Sequence, residues 1–399
     1  MASRDFGGVP SSPNTSENAS YVSSMTDASR PRTRLLMVNS TLHIGGAEQV
    51  AATLSSLLDR RGFDVAACYL KEPGLVADQM RRNGVELVPV PGLVPGRRDY
   101  FTSLKLRRLI RERRAQVIHT HDIHGLIDGA LCRLSMPSLR HVHTFHFGNY
   151  PHRKLQHKLI EGSLWRVPDA LIAVGQVQAA SIRAFYGIPE NRLRILWNGV
   201  EDPVRGGEAS EFANLKVPGV PLIGSISTLI TQKGLEHLLE AAELLKQSGE
   251  KFHLAIAGHG HLKESLEKQA RARDLDNHVK FLGWISEASR KLLPVCDIFV
   301  QSSLWEAMSV VVLEAMAAGK PMTVTTVGEN PHVVLNEKTG LTVPPGDARA
   351  LAESLRRLLR DESLRDSLGR AARHRYEEHF TNQHMVRAHE ALYSELVNG

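Results

Sequence analysis

The stretch "SSLWEAMSVVVLEAMAAGKP", residues 302–321, carries two glutamates with seven residues between them, Glu306 and Glu314. Ser309 is placed to cap a helix running to Ala318, and Gly319 and Pro321 are stop signals after it. The β-branched run "CDIFVQSS" precedes this segment and "PMTVTT" follows it. A strand, a loop, a short helix and a second strand make one β–α–β unit, and the sheet built from such units is parallel.

The same alternation extends in both directions. Upstream, "VPLIGSIS", "KFHLAIAGHG" and "VKFLGW" are strand signals separated by the helical patterns "GLEHLLEAAELLKQSG" and "HLKESLEKQARARDL". Downstream lie "GLTVPPGD" and two long helical stretches. An earlier run begins at "RLLMVNS", passes through the amphipathic "AEQVAATLSSLLDRRG" to Gly62, and continues with "DVAACYL", "GVELVPV", "AQVIHTH", "RHVHTF" and "DALIAV". Between the runs, "LRILWNGVEDPVRGGEAS" is dense in turn residues. The expected fold is α/β: two doubly wound, Rossmann-like domains facing across a cleft. The expected divisions are a disordered tail over 1–33, a first domain over 34–198, a second over 199–378, and a C-terminal helix over 379–399 packing back toward the first domain. Ligands in such sheets bind at the carboxyl ends of the strands.

Composition narrows the class. The chain has 399 residues, is 42% hydrophobic and 23% charged, and carries a net charge of +6. Its three cysteines, Cys68, Cys132 and Cys296, are widely spaced and suit reduced core thiols in a cytoplasmic protein, not a disulfide framework. The first 33 residues are rich in Ser, Asn and Pro and lack the apolar core of a signal peptide, and no later run is apolar enough to span a bilayer. The segment "RRDYFTSLKLRRLIRERRAQ" (97–116) is densely basic, with Arg107, Arg111 and Arg114 on one helical face and apolar residues between them. It is either a solvated helix face or, over residues 97–114, a seat for an anionic membrane surface. Nucleic acid is not expected, because no aromatic platform accompanies the charge.

Four stretches can carry chemistry. "HIGGAEQV" (43–50) places Gly45 and Gly46 at a β–α turn, where backbone can approach a phosphate closely, although double glycines also serve plain turns. "THDIHG" and its surroundings hold His119, His121, His124, His141, His143 and His146. His119 and His121 would share one face at a strand end, which raises a metal site, but no further ligand is evident and none is expected. His146 is the best placed to bond a phosphate or hydroxyl. "STLITQKG" (227–234) puts Lys233 just before a helix, where it could neutralise an anion. In the opening stretch, Val310, Val311 and Val312 would offer free amides to a diphosphate, with Glu306 and Glu314 on either side as acceptors for sugar hydroxyls. That pattern suits a nucleotide sugar; surface charge is the plain alternative.

In this order the stretches resemble the retaining glycosyltransferases of the large family-four group, which have the two-domain B-type fold. The resemblance covers about residues 34–395. Its most specific part is "SSLWEAMSVVVLEAMAAGKPMTVTTVGENPHVV", similar to that family's E-x7-E segment and V-G-G loop, and "GGAE", "DALIAVGQ", "ILWNGVE", "AGHGHLKESLE", "VKFLGWIS" and "TGLTVPPGD" match further landmarks. It implies that Glu306 and His146 meet the donor sugar and Glu314 the ribose. Lys233, Gly45, Gly46 and Val310–Val312 would meet the diphosphate. The implied enzyme moves a sugar from a nucleotide sugar to a glycan, lipid-linked or small-molecule acceptor, with retention and no metal or other cofactor. The implied setting is cell-envelope or exported polysaccharide synthesis, in the cytoplasm or at the inner face of its membrane. Four features depart from the family pattern. Thr228 stands where an arginine is usual, "AMS" follows Glu306 in place of a glycine and proline, Gly175 replaces a serine, and His332 replaces a glutamate. With one cation missing at Thr228, a degenerate nucleotide-sugar-binding protein is the alternative, and a hydrolase using His119 and His121 a more distant one.

Overall fold

Thirteen strands are laid down in chain order by the described residues, which in this computed structural model are 32–43, 45–58, 61–94, 99, 101–148, 154–204 and 211–399. They are β1 Thr33–Thr41, β2 Phe63–Glu72, β3 Glu86–Leu87, β4 Val117–Thr120, β5 Arg140–Phe145, β6 Ala170–Ala173, β7 Leu193–Ile195, β8 Leu222–Ile226, β9 His253–Ala257, β10 Val279–Gly283, β11 Ile298–Gln301, β12 Met322–Thr325 and β13 Leu341–Val343. The tail expected over 1–33 falls almost wholly outside the described residues, as do residues 97, 98 and 100 of the basic segment.

All ladders between these strands are parallel. The first sheet runs β3-β2-β1-β4-β5-β6-β7 and the second β10-β9-β8-β11-β12-β13. Each reverses direction once, between β1 and β4 and between β8 and β11, so the expectation of two doubly wound units is met. The physical cause is visible in the central strands. β4, β6, β11 and β12 are buried along their whole length and carry side chains that suit a strand covered by helices on both faces.

Two differences from the sequence reading have simple reasons. β7 sits where turn residues dominate; three residues on a sheet edge are too few to show a period. β3 is only two residues long although "GVELVPV" reads as a full strand, because Val88 N–H is the last amide bonded to β2, at 2.8 Å from Ala67 O.

Helices on both faces close the core. Leu35, Met37 and Val117 of the first sheet meet Leu54 and Leu58 of helix Gly46–Leu58 on one face, while Leu36, Val38 and Ile118 meet Leu106 and Ile110 on the other. The C-terminal helix Asn382–Asn398 belongs to the first sheet's core: Met385, Val386, Leu392 and Tyr393 are buried in that same cluster. The chain therefore passes between the two halves twice. The passages lie side by side, with Val200 N–H donating to Phe380 O and Asn382 N–H to Val200 O, both at 3.0 Å. A third cluster joins Val174 and Val200 to Phe299, Val312, Tyr376 and Phe380. Thr33–Gly399 is one compact unit as a result.

Candidate functional site

The strand reversals create crevices at the carboxyl ends of β1 and β4 in one sheet and of β8 and β11 in the other. The segments that leave these four strands hold most of the candidate residues.

After β8, a single 3-10 turn Thr231–Lys233 ends at Gly234, whose φ of +57° is left-handed. A side chain at 234 would also lie 2.4 Å from Ser302 O, so glycine is required on both counts. This turn delivers Lys233 to the loop that follows β11. There Lys233 Nζ donates to Glu306 Oε1 at 2.5 Å, and Ser303 Oγ donates to the same oxygen at 2.7 Å. Gln232 Nε2 approaches Glu306 Oε2 at 3.4 Å. The two charged side chains are 18% and 8% exposed, which makes this a shielded ion pair. Its stability depends on both partners, since removing either leaves a buried charge alone.

Ser309 precedes helix Val310–Ala317 in extended conformation but makes no side-chain cap. Its Oγ instead receives Gln301 Nε2 at 2.6 Å. This corrects the capping expectation: the buried glutamine competes successfully for the hydroxyl. The amides of Val310, Val311 and Val312 are the first of the helix and have no intrahelical carbonyl to meet. Val310 packs against the cores of both halves, and a side chain at Gly46 would come within 3.7 Å of its Cγ2. Gly46, at the start of its own helix, thus faces the second helix start across the cleft. Gly45 differs. Glu48, which the sequence reading did not single out, folds its carboxyl to 2.3 Å from where a Cβ of Gly45 would stand.

Glu314 lies one turn into helix Val310–Ala317 and accepts Ser289 Oγ at 2.5 Å. Burial pushes its carboxyl up to about 7, against the opposing pull of the Ser289 hydroxyl and the Arg290 charge. Thr228 is exposed and is not among the hydrogen-bond partners of the Lys233–Glu306 pair.

The histidines resolve into distinct roles. Asp122, between His121 and the helix Ile123–Ser135, caps that helix at Gly125 N and also accepts Ser40 N–H at 2.5 Å, tying β1 to β4 at their carboxyl ends. His119 and His121 do share a face, as expected, with ring centroids 4.1 Å apart. That face is covered by the C-terminal helix. His119 Nδ1 meets Tyr393 Oη at 2.6 Å and its Nε2 meets Thr144 Oγ1 at 2.7 Å, so both nitrogens are engaged. His121 Nδ1 meets His146 Nε2 at 3.0 Å. His141 and His143 both bond Thr120 Oγ1 on the opposite face. Among the described residues no three His, Cys, Asp or Glu side chains converge as a metal site requires. The geometry therefore brings Lys233, Glu306 and the Val310 helix start together, with Gly46 facing them and His146 backed by His121. It does not put a charge at Thr228 or a cap on Ser309.

Residues 208–375 match the family described as Glycosyl transferases group 1, and residues 44–202 match Glycosyltransferase Family 4. The chain is 30% identical over 275 residues to the amylovoran biosynthesis glycosyltransferase AmsK of Erwinia amylovora, an alignment covering 66% of this chain and 65% of that protein. It is 26% identical over 329 residues to the lipopolysaccharide core biosynthesis glycosyltransferase LpsE of Rhizobium meliloti, covering 81% and 88%. The chain thus spans just under two thirds of the first relative's length. Among solved structures, HepE of Anabaena in complex with UDP superposes with a TM-score of 0.79 at 18% identity, covering 91% of this chain and 100% of that one.

Proposed function

Because the chain belongs to the group 1 glycosyltransferases, with the two-domain B-type fold, we propose that it transfers a sugar from a nucleotide sugar, with retention, to an acceptor in the first domain's half of the cleft. The observation that carries this is the Lys233–Glu306 pair beside the start of helix Val310–Ala317, opposite Gly46. The pair is a site filled by its own groups. An incoming diphosphate offers Lys233 a stronger anion and frees Glu306 to accept sugar hydroxyls, while the amides of Val310–Val312 take the phosphate oxygens. Glu314 then bonds the ribose, for which its protonation near neutrality is no obstacle, since either form accepts a hydroxyl proton. His146 approaches the sugar from the first domain. Lys233 and the helix amides stabilise the charge that develops on the departing diphosphate, a task that asks nothing of a bound cation or cofactor. The acceptor attacks from the leaving-group face, so configuration is kept.

UDP in the HepE complex supports a uridine donor, and the names of the amylovoran and lipopolysaccharide core relatives support an envelope or exported glycan, or a lipid-linked precursor, as acceptor. Incubation with a panel of UDP-, ADP- and GDP-sugars should release nucleoside diphosphate from one of them. Because Thr228 is uncharged, there is a definite second outcome: calorimetric binding across the panel with no release on any acceptor would establish a binding protein instead.

Among the described residues no helix is long and apolar enough to cross a membrane. A lipid-linked acceptor would instead be met at the surface, at the inner face of the cytoplasmic membrane. Helix Thr102–Arg113 is suited to that, but less simply than its sequence suggests. Arg108 pairs with Glu112, Arg113 with Glu86, and Arg107 is half-buried. Arg111 and Arg114 remain exposed toward the end of this helix, and Phe101 and Leu104, at its start, are 65% and 59% exposed. Cations flanking solvent-facing apolar side chains favour an anionic bilayer. The protein should co-sediment with vesicles containing anionic lipid and be released by salt; equal recovery with neutral vesicles would count against this surface.

A further inference from the structure

One buried carboxylate is left over by the proposed reaction. Glu329 is 1% exposed and follows β12 in the second half of the chain. Its Oε1 nevertheless accepts the amides of Val177, at 2.5 Å, and Gln178, at 3.2 Å. Those amides open helix Gln176–Tyr186, which belongs to the first half. The helix has no cap of its own, because Gly175 at its N-cap has no side chain. A Cβ on Gly175 would fall 2.0 Å from the Glu329 carboxyl carbon, so the glycine makes room for a carboxylate arriving across the cleft. The other oxygen, Oε2, is buried with no partner. A carboxylate at free helix amides is favourable, and these two bonds offset the burial of the oxygen left unbonded.

The loop bearing Glu329 also supports Glu306. Glu329 N–H donates to Ala307 O at 2.9 Å. Gly328, with φ of +51°, lies so close that a side chain there would stand 2.5 Å from both Glu306 O and Ala307 O. Likewise, a side chain on Gly148 of the first half would stand 2.2 Å from the Glu306 carbonyl carbon. The Glu306–Ala307 peptide is thus closely approached by two glycines, Gly148 from the first half and Gly328 from the second, and Glu329 fastens the Gly328 loop to the first half.

We propose that Glu329 is a positioning residue, a clasp that holds the two halves at the spacing where Glu306 meets the donor sugar. This rests on the transferase reading given above. Its rival is a local role, with Glu329 only stabilising the end of one helix. A Gly175→Ser change separates the two when combined with Glu329→Ala, because serine caps the helix from within its own half.

The test places spin labels at two exposed positions, Leu134→Cys and Lys268→Cys, one in each half of the full chain. Glu329→Ala should broaden and lengthen the label distance and raise the donor KM roughly tenfold, because apparent affinity falls with the fraction of molecules in the competent arrangement. Glu329→Gln, which keeps the shape and an acceptor oxygen, should raise KM by a smaller factor, and decides the matter if the alanine variant does not fold. Gly175→Ser with Glu329→Ala should recover Tm but neither the distance nor KM. Unchanged distances in the single variants, or a double variant that regains KM along with Tm, would overturn the clasp. If the unmodified chain turns over no donor, the transfer assignment fails separately, and the label distances alone decide the clasp.

Discussion

Lys233→Ala is expected to lower donor turnover roughly 100- to 1,000-fold and also to destabilise the fold by about 3–5 kcal/mol. The two effects share one cause. Lys233 Nζ is 2.5 Å from Glu306 Oε1, and the Glu306 side chain is only 8% exposed. Removing the amine leaves a carboxylate in a shielded site with Ser303 and Gln232 as its remaining partners. It also removes the charge that meets the departing diphosphate, and the exposed, neutral Thr228 does not replace it. Stability and chemistry can be separated by a second change. Lys233→Met combined with Glu306→Gln removes both charges, and should restore most of the denaturation midpoint in urea while leaving turnover as low as in either single variant. Near-normal turnover in Lys233→Ala would remove this lysine from the site.

The second large effect is on stability in acid. Burial pulls His146 and His389 down to about 4 and His141 to about 3. His119 and His121 are held well below the usual range, by burial first and by neighbouring histidines second. A histidine kept neutral in the fold, but titrating near 6.5 in the unfolded chain, leaves stability unchanged above about pH 6.5. Below that the unfolded chain takes up the proton first, so stability falls until the folded value near 4 is reached, by about 1.4 kcal/mol per pH unit for each such group. Three carboxyls act in the opposite sense, Glu48 being raised by burial as well. Burial raises Asp128 and Glu314 to about 7, so between pH 7 and 4 the fold binds protons that the unfolded chain has released. With His124, which burial also lowers, six lowered histidines outweigh three raised carboxyls, and a net loss is expected on acidification. His389→Asn isolates one contribution, since an amide can replace Nδ1–H as donor to Met385 O. Urea titrations at pH 7 and pH 5 should show the variant losing about 2 kcal/mol less than the unmodified chain. Parallel losses would show that His389 does not titrate differently in the two states.

Much of this architecture was legible before any coordinates. Central strands such as β6 and β11 are buried on both faces because helices cover both sides of a parallel sheet, and that leaves short, mostly apolar runs in the sequence. Likewise Lys233 and Gly46 could be located because each sits at a β–α turn, where glycine and a following helix are a local signature. What stayed hidden was non-local or decided by competition. The contact between Lys233 and Glu306 joins residues 73 positions apart, and spacing says nothing of it. Ser309 has a good capping residue's chemistry, yet Gln301 takes its hydroxyl. Nothing in the sequence singles out Glu329, which serves a helix 152 positions earlier in the chain. The only trace of that in the sequence was the bare glycine at 175. His119 stands at a strand end, where a ligand site is expected, yet it bonds Tyr393, because a helix distant in sequence covers that face.

That last helix bears on how the protein is made. Met385, Val386, Leu392 and Tyr393 complete the core of a sheet whose strands end at Ile195. A ribosome therefore delivers the whole second half before the first can close over its apolar face, whereas the second sheet's own large cluster draws on residues 223–368 and is complete earlier. The half synthesised first is the half that finishes folding last. A nascent chain stalled before residue 381 would carry that face uncovered, which marks it as the surface for a chaperone to shield.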